Sequence, residues 1–175
     1  DVIEFLENKT RILGLKTSFH TIVASAANAT LPHYSNGLGK LKKGFCVIDF
    51  GIRYKGYCSD ITRTLYIGKP NKKEKELYNL ILKVQTEAID ELKDGIKSVK
   101  IDTNIRKKLG HYSKYFIHGT GHGIGIEIHE TPRISPSSTD VLKENMVFTI
   151  EPGLYIKNKL GIRIEDDVLL TKKGP

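Results

Sequence analysis

The spacing of apolar positions changes several times along the chain, and each change marks an element. In KKEKELYNLILKVQTEAIDELKDG, the residues Leu77, Leu80, Ile81, Val84, Ala88 and Leu92 recur every three or four positions. This period predicts a helix over 72–94, capped by Asn71 and stopped by Gly95. The opening DVIEFLENKTRILGLK has apolar residues at 2, 3, 5, 6, 12 and 13 and predicts another helix, with its start expected further upstream. A shorter helix is predicted over 102–112, starting at Asp102 and burying Ile105 and Leu109.

Elsewhere the period is two, or the apolar residues are β-branched and continuous. FHTIVASA (19–26) predicts a strand that runs into the turn-rich ANATLPHYSNG. GFCVIDFGIRYKGYCSDITRTLYIG (44–68) predicts a hairpin. NMVFTIEPGLYIKNKLGIRIEDDVLLT (145–171) predicts a second hairpin, turning at KNKLG. Between them ETPRISPSS (130–138) is expected to be a loop. The order of helix, strands, helices and strands indicates an α+β fold, with helices on one face of a mostly antiparallel sheet.

Each hairpin raises an electrostatic question. A two-residue turn at Tyr54-Lys55 sets Asp49 opposite Asp60, with Ile48 opposite Ile61 and Phe50 opposite Ser59 on an apolar, packing side. In the second hairpin, a loop centred near Asn158 sets Glu151 opposite Glu165, with Thr149 and Arg163 on the same side. Facing carboxylates repel, so a shared proton or a cation is needed between them. The alternative for each pair is an exposed or backbone-held carboxylate.

Composition narrows the class. With 175 residues, 39% hydrophobic and 27% charged, the chain suits one soluble domain. No run approaches the roughly 18 apolar residues of a membrane span, and no leader is evident. Two cysteines, Cys46 and Cys58, make neither a disulfide framework nor a zinc ribbon, which points to a reducing, cytoplasmic setting. The net charge of +8 arises from lysine runs without interleaved aromatics, so nucleic acid is not the expected partner. The chain opens at Asp1 and is expected to be a piece of a longer protein.

The segment FIHGTGHGIGIEIHE (116–130) concentrates His118, His122 and His129 among four glycines. Glycine sacrifices packing and gains close backbone approach, which suits a ligand or metal nearby. Four carboxylates with one imidazole form an oxygen-rich set suited to manganese or cobalt, with zinc also compatible. Five such groups exceed one tetrahedral zinc site and match two bridged ions about 3.5 Å apart.

HGTGHGIGIEIHE, VFTIEPGLY, GIRIEDDVLLT, DFGIRYKGYCSDITRTLYIG and the TLPHY around His33 occur in that family-specific set over nearly the whole chain. Together they resemble the pita-bread metallopeptidases, and within them the Xaa-Pro dipeptidase (prolidase) and aminopeptidase P branch. The resemblance implies a curved, mostly antiparallel sheet with helices on its outer face, and a single catalytic domain over 1–175 whose N-terminal companion domain is absent. It implies two divalent ions held by Asp49, Asp60, His122, Glu151 and Glu165, with Asp60 and Glu165 bridging. Glu151 matches the general base for a metal-held hydroxide, and His33 and His129 match residues that contact substrate and intermediate. Arg163 matches an arginine that orients the carboxylates, while Thr149 and His118 are given supporting places. A proline-containing peptide is the implied substrate and a homodimer the implied assembly of the full-length protein. Methionine aminopeptidase activity, or a non-catalytic peptide-binding role on the same fold, are the alternatives.

Overall fold

The computed structural model describes residues 1–35 and 39–175. Three α-helices are present among them: α1 (Val2–Ile12), α2 (Lys72–Asp90) and α3 (Ser98–Leu109). The strands are β1 (Lys16–Thr17), β2 (Ile22–Ser25), β3 (Gly44–Phe50), β4 (Ile52–Tyr54), β5 (Tyr57–Cys58) and β6 (Ile61–Ile67). They continue as β7 (Gly121–Gly123), β8 (Glu130–Ile134), β9 (Val147–Ile150), β10 (Gly153–Ile156), β11 (Leu160–Arg163) and β12 (Asp166–Leu169). Every described ladder is antiparallel, in the orders β1-β4-β5, β2-β3-β6, β12-β9-β7-β8 and β10-β11. The fold is α+β, as the element order indicated. No helix among the described residues is long and apolar enough to cross a membrane.

Helix α2 begins where the sequence placed it. The Asn71 side chain accepts from the Glu74 N–H, and the Glu74 carboxylate accepts from the Asn71 N–H, closing a capping box. The helix ends at Asp90, before Gly95. In α1 the Asp1 side chain accepts from the Glu4 N–H at 3.0 Å. Helix α3 begins at Ser98, one turn before the expected start. Asp102 is therefore not a cap but a fully buried residue inside the helix.

Helices α2 and α3 lay Leu77, Ile81, Val84, Ile101, Ile105 and Leu109 against Phe148, Ile150, Leu154, Ile162 and Leu170. Most of these side chains are at or near zero exposure, each contributing about 1.5–3 kcal/mol through burial. This core covers the back of β9–β11. The other face of these strands carries Thr149, Tyr155 and Arg163.

The two hairpins differ in how far the sequence predicted them. The second has the expected register: Gly153 faces Arg163, and Asp167 faces Thr149. The first turns one residue later, at Lys55-Gly56, where both φ angles are positive and glycine fits. Asp49 consequently faces Thr62, Ile48 faces Arg63 and Phe50 faces Ile61. Asp49 and Asp60 are not opposite each other. The buried side carries Phe45, Val47, Asp49, Thr62 and Thr64, whereas Ile61 on the supposed packing side is exposed. Residues 130–134 of the expected loop form β8. The turn-rich segment 27–37 begins inside a short 3-10 helix, Ala26–Thr30, and its Asn36 and Gly37 lie outside the described residues.

Candidate metal centre

Strand β3 delivers Asp49 and the residue before β6 delivers Asp60 to one cavity of 440 Å³. Strand β7 brings His122, the break between β9 and β10 brings Glu151, and the break between β11 and β12 brings Glu165. Pro152 cannot donate to a ladder, and the pairing of β9 gives way to that of β10 beside it. His33, His118, His129 and Arg163 line the same cavity. Thr149 is fully buried and does not line it. Ligand-type atoms of Asp60, His122 and Glu165 all lie within 4.8 Å of one another.

The glycines around His122 allow this convergence. A Cβ on Gly121 would lie 1.9 Å from the carbonyl oxygen of Thr149, so only glycine lets β7 pass so close to β9. Thr149 then uses its hydroxyl twice. It accepts from the His122 N–H at 3.1 Å and is directed to Glu151 Oε1 at 3.5 Å.

The tautomer of His122 follows from its neighbours. Its Nδ1 lies 3.1 Å from the Gly123 carbonyl, which can only accept, so Nδ1 carries the hydrogen. The Nε2 lone pair therefore faces Asp60 Oδ2 at 3.7 Å and Glu151 Oε1 at 3.6 Å. A lone pair confronting two carboxylates calls for a cation or a proton between them. Burial keeps His122 below its ordinary pKa, against protonation of the ring itself.

The carboxylates tell the same story. Asp49 Oδ1 and Asp60 Oδ1 are buried without a hydrogen-bond partner. Arg163 is the only lysine or arginine among the described residues lining the cavity. It donates to Asp49 Oδ2 at 2.5 Å, to the Thr62 hydroxyl at 3.0 Å and to the Tyr155 hydroxyl at 2.9 Å. One guanidinium does not balance four acids. Burial, with Asp49, Glu151 and Asp167 nearby, pushes Asp60 to about 9. Burial likewise moves Glu151 to about 7, with Arg163 opposing the rise, and Glu165 is raised strongly by burial, Glu151 and Asp60. Unpartnered buried oxygens, an imidazole lone pair and an excess of acids fit divalent cations.

His118 and His129 occupy different places. His118 Nδ1 donates to the Gly119 carbonyl at 2.7 Å, so its Nε2 accepts from the Tyr155 hydroxyl at 2.9 Å. Burial, then the charge of Arg163, lowers its pKa to about 4, which keeps it neutral. The His129 ring stands edge-on to His122 with centroids 4.3 Å apart.

Residues 1–172 match the metallopeptidase family M24. The chain belongs to that family. It is 44% identical over 162 residues to the Xaa-Pro dipeptidase of Pyrococcus horikoshii, covering 91% of this chain and 46% of that protein. The prolidase from Pyrococcus furiosus superposes with a TM-score of 0.96 at 44% identity, covering 99% of this chain and 52% of that one. The X-Pro aminopeptidase from Thermotoga maritima superposes at 0.94 with 41% identity, covering 99% and 50%. This M24 chain thus spans about half the length of the relatives it matches, and the resemblance to the prolidase branch is borne out.

Two residues of this M24 site escaped the sequence reading. Tyr155 joins Arg163 to His118 through its hydroxyl. Asp167 accepts from the Asp60 N–H at 3.0 Å while its Oδ1 is buried and unpartnered. Alternation along the strands carries a signal for both, since they follow Glu151 and Glu165 at even spacing.

Proposed function

We propose that the chain is the catalytic domain of a metal-dependent peptidase that hydrolyses the bond between a residue and a following proline. The observation that carries this is the His122 Nε2 lone pair, aimed at Asp60 and Glu151 in a cavity where Asp49 and Asp60 each keep a buried, unpartnered oxygen. The activities in the names of the Pyrococcus and Thermotoga relatives support the choice of bond. Their greater length supports reading 1–175 as one domain of a larger whole. The TM-score of 0.96 supports reading the four ladders as facets of one curved sheet, with α2 and α3 outside it.

Asp49, Asp60, His122, Glu151 and Glu165 would hold two divalent ions, with manganese or cobalt best suited to the oxygen-rich set and zinc compatible. Bound there, the ions would acidify a water and polarise the scissile carbonyl. Glu151 takes the proton from the attacking water as the new carbon–oxygen bond forms. It then returns that proton to the proline nitrogen as the carbon–nitrogen bond breaks. His129 donates toward the carbonyl oxygen as negative charge develops, and His33, which lines the same cavity, contacts the peptide. Arg163 holds Asp49 in place, and Thr149 fixes Glu151 relative to His122.

The test is hydrolysis by the manganese- or cobalt-loaded chain of Xaa-Pro dipeptides, longer Xaa-Pro peptides and Met-Ala. Cleavage of Xaa-Pro bonds that is lost in Glu151→Gln supports the reading. Cleavage of Met-Ala alone assigns a methionine aminopeptidase, and binding without turnover assigns a peptide-binding module.

A further inference from the structure

Asp102 is a carboxylate with zero exposure in the middle of α3, and it is not among the residues that line the cavity. A buried carboxylate without partners is destabilising, and this one has three hydrogen bonds from two residues. Arg106, one turn later, donates from Nε to Asp102 Oδ2 at 2.7 Å and from Nη2 to Oδ1 at 3.3 Å. The Thr120 hydroxyl donates to Asp102 Oδ1 at 2.9 Å.

The guanidinium also reaches outside its helix. Nη1 donates to the Phe116 carbonyl and Nη2 to the His118 carbonyl, both at 2.7 Å. The guanidinium carbon lies 4.5 Å from the centroid of the Phe116 ring. One planar fork therefore grips alternate carbonyls of the segment that leads into β7. An ammonium cannot match that geometry, because its donors do not share a plane.

From this grip the chain of contacts runs to the site. Thr120 is fully buried, its N–H donates to the Ile134 carbonyl at 2.7 Å, and its own carbonyl accepts from the Glu151 N–H at 2.8 Å. Next to it, Gly121 packs on Thr149, and His122 follows. The backbone of 116–120 thus sets the positions of His118, His122 and Glu151 together, and α3 holds that backbone through two side chains.

We propose that Asp102 and Arg106 are positioning residues that clasp the histidine segment, through Thr120, into register with Glu151; the consequence for metal binding rests on the peptidase reading above. A pair that only stabilised α3 would bond within its helix. Here the fork and the carboxylate each bond to the histidine segment.

The experiment compares wild type, Arg106→Lys, Thr120→Ser and Thr120→Val. Arg106 is partly exposed, so the lysine ammonium can reach water and the fold is expected to survive. The first readout is amide hydrogen exchange in chelator-treated protein. Arg106→Lys and Thr120→Val are expected to raise exchange at Thr120, His122 and Glu151 about tenfold, relative to Ile81 and Val84 in α2. Thr120→Ser keeps the hydroxyl and is expected to match wild type. The second readout is cobalt titration, where the two disrupting variants should bind about 10–100-fold more weakly. A rise in exchange spread evenly over the chain, with cobalt affinity unchanged, would show that the pair serves stability alone and overturn the proposal. If wild type itself takes up no cobalt, the peptidase reading fails, and the exchange comparison still decides the clasp. Should Arg106→Lys not fold, the Thr120 pair gives the same decision.

Discussion

Thr62 and Glu165 lie in different hairpins and meet as an isolated antiparallel bridge, with the Thr62 hydroxyl donating to Glu165 Oε2 at 2.5 Å. The same hydroxyl oxygen accepts from Arg163 Nε at 3.0 Å. This one side chain joins the two carboxylate-bearing halves of the site. Removing its oxygen leaves a buried carboxylate and a buried guanidinium each short of a partner. Thr62→Val is therefore expected to lower stability by about 1–3 kcal/mol and to weaken metal binding about tenfold. Thermal unfolding with cobalt titration checks both, and an unchanged affinity would remove Thr62 from the support of Glu165.

The backbone contact between Gly121 and Thr149 gives a steric prediction. A methyl group on residue 121 meets a main-chain oxygen, which cannot swing aside as a side chain would. Gly121→Ala is expected to destabilise by about 1–3 kcal/mol and to displace His122. Differential scanning calorimetry and the cobalt absorption spectrum test this. A normal melting temperature with a wild-type spectrum would show that β7 moves without consequence.

The metal-free protein should become less stable as pH rises. Asp60 is raised to about 9, Glu151 to about 7 and Asp167 to about 6, each first by burial. In the unfolded chain such groups titrate near pH 4. Between those values the folded state binds more protons than the unfolded state, so this contribution is complete below about pH 4 and is lost progressively toward about pH 9. Each kcal/mol lost lowers the melting temperature by about 2–4 °C in a chain of this size. Bound cations reverse the trend, because the ligands must give up their protons. Melting temperatures of chelator-treated and manganese-loaded protein, measured from pH 5 to pH 9, should diverge with pH; parallel curves would contradict the assigned ligands.

Two cobalt or manganese ions per chain are expected in a calorimetric titration of stripped protein. At a free concentration about one hundred times Kd, each site adds about 2.7 kcal/mol of stability. One ion per chain would restrict the centre to the close group of Asp60, His122 and Glu165. No uptake would remove the metallopeptidase reading.

Several features were determined by the sequence itself, because they rest on neighbours in the chain. Asn71 and Glu74 cap α2 wherever that helix packs, and the apolar stripe from Leu77 to Ala88 defines its buried face. The register of the second hairpin followed from its tight loop at Asn158, where φ is positive. The motifs around His122, Glu151 and Glu165 carried the family.

Other features depended on the tertiary structure, because distant residues decide them. The first hairpin turns at Lys55-Gly56, as glycine takes the positive φ more easily there, and the one-residue change moved Asp49 from Asp60 to Thr62. Asp102 reads locally as a helix cap, yet it is buried because Arg106 and Thr120 satisfy it, and Thr120 arrives from beyond the end of the helix. Strand β8 forms in a segment rich in proline and serine because β7 offers a partner edge. Local periodicity carries no information on which carbonyl a guanidinium reaches or which oxygen is left without a donor. Those are set when the hairpins and helices meet, and at this centre the meeting leaves buried carboxylates facing an imidazole lone pair.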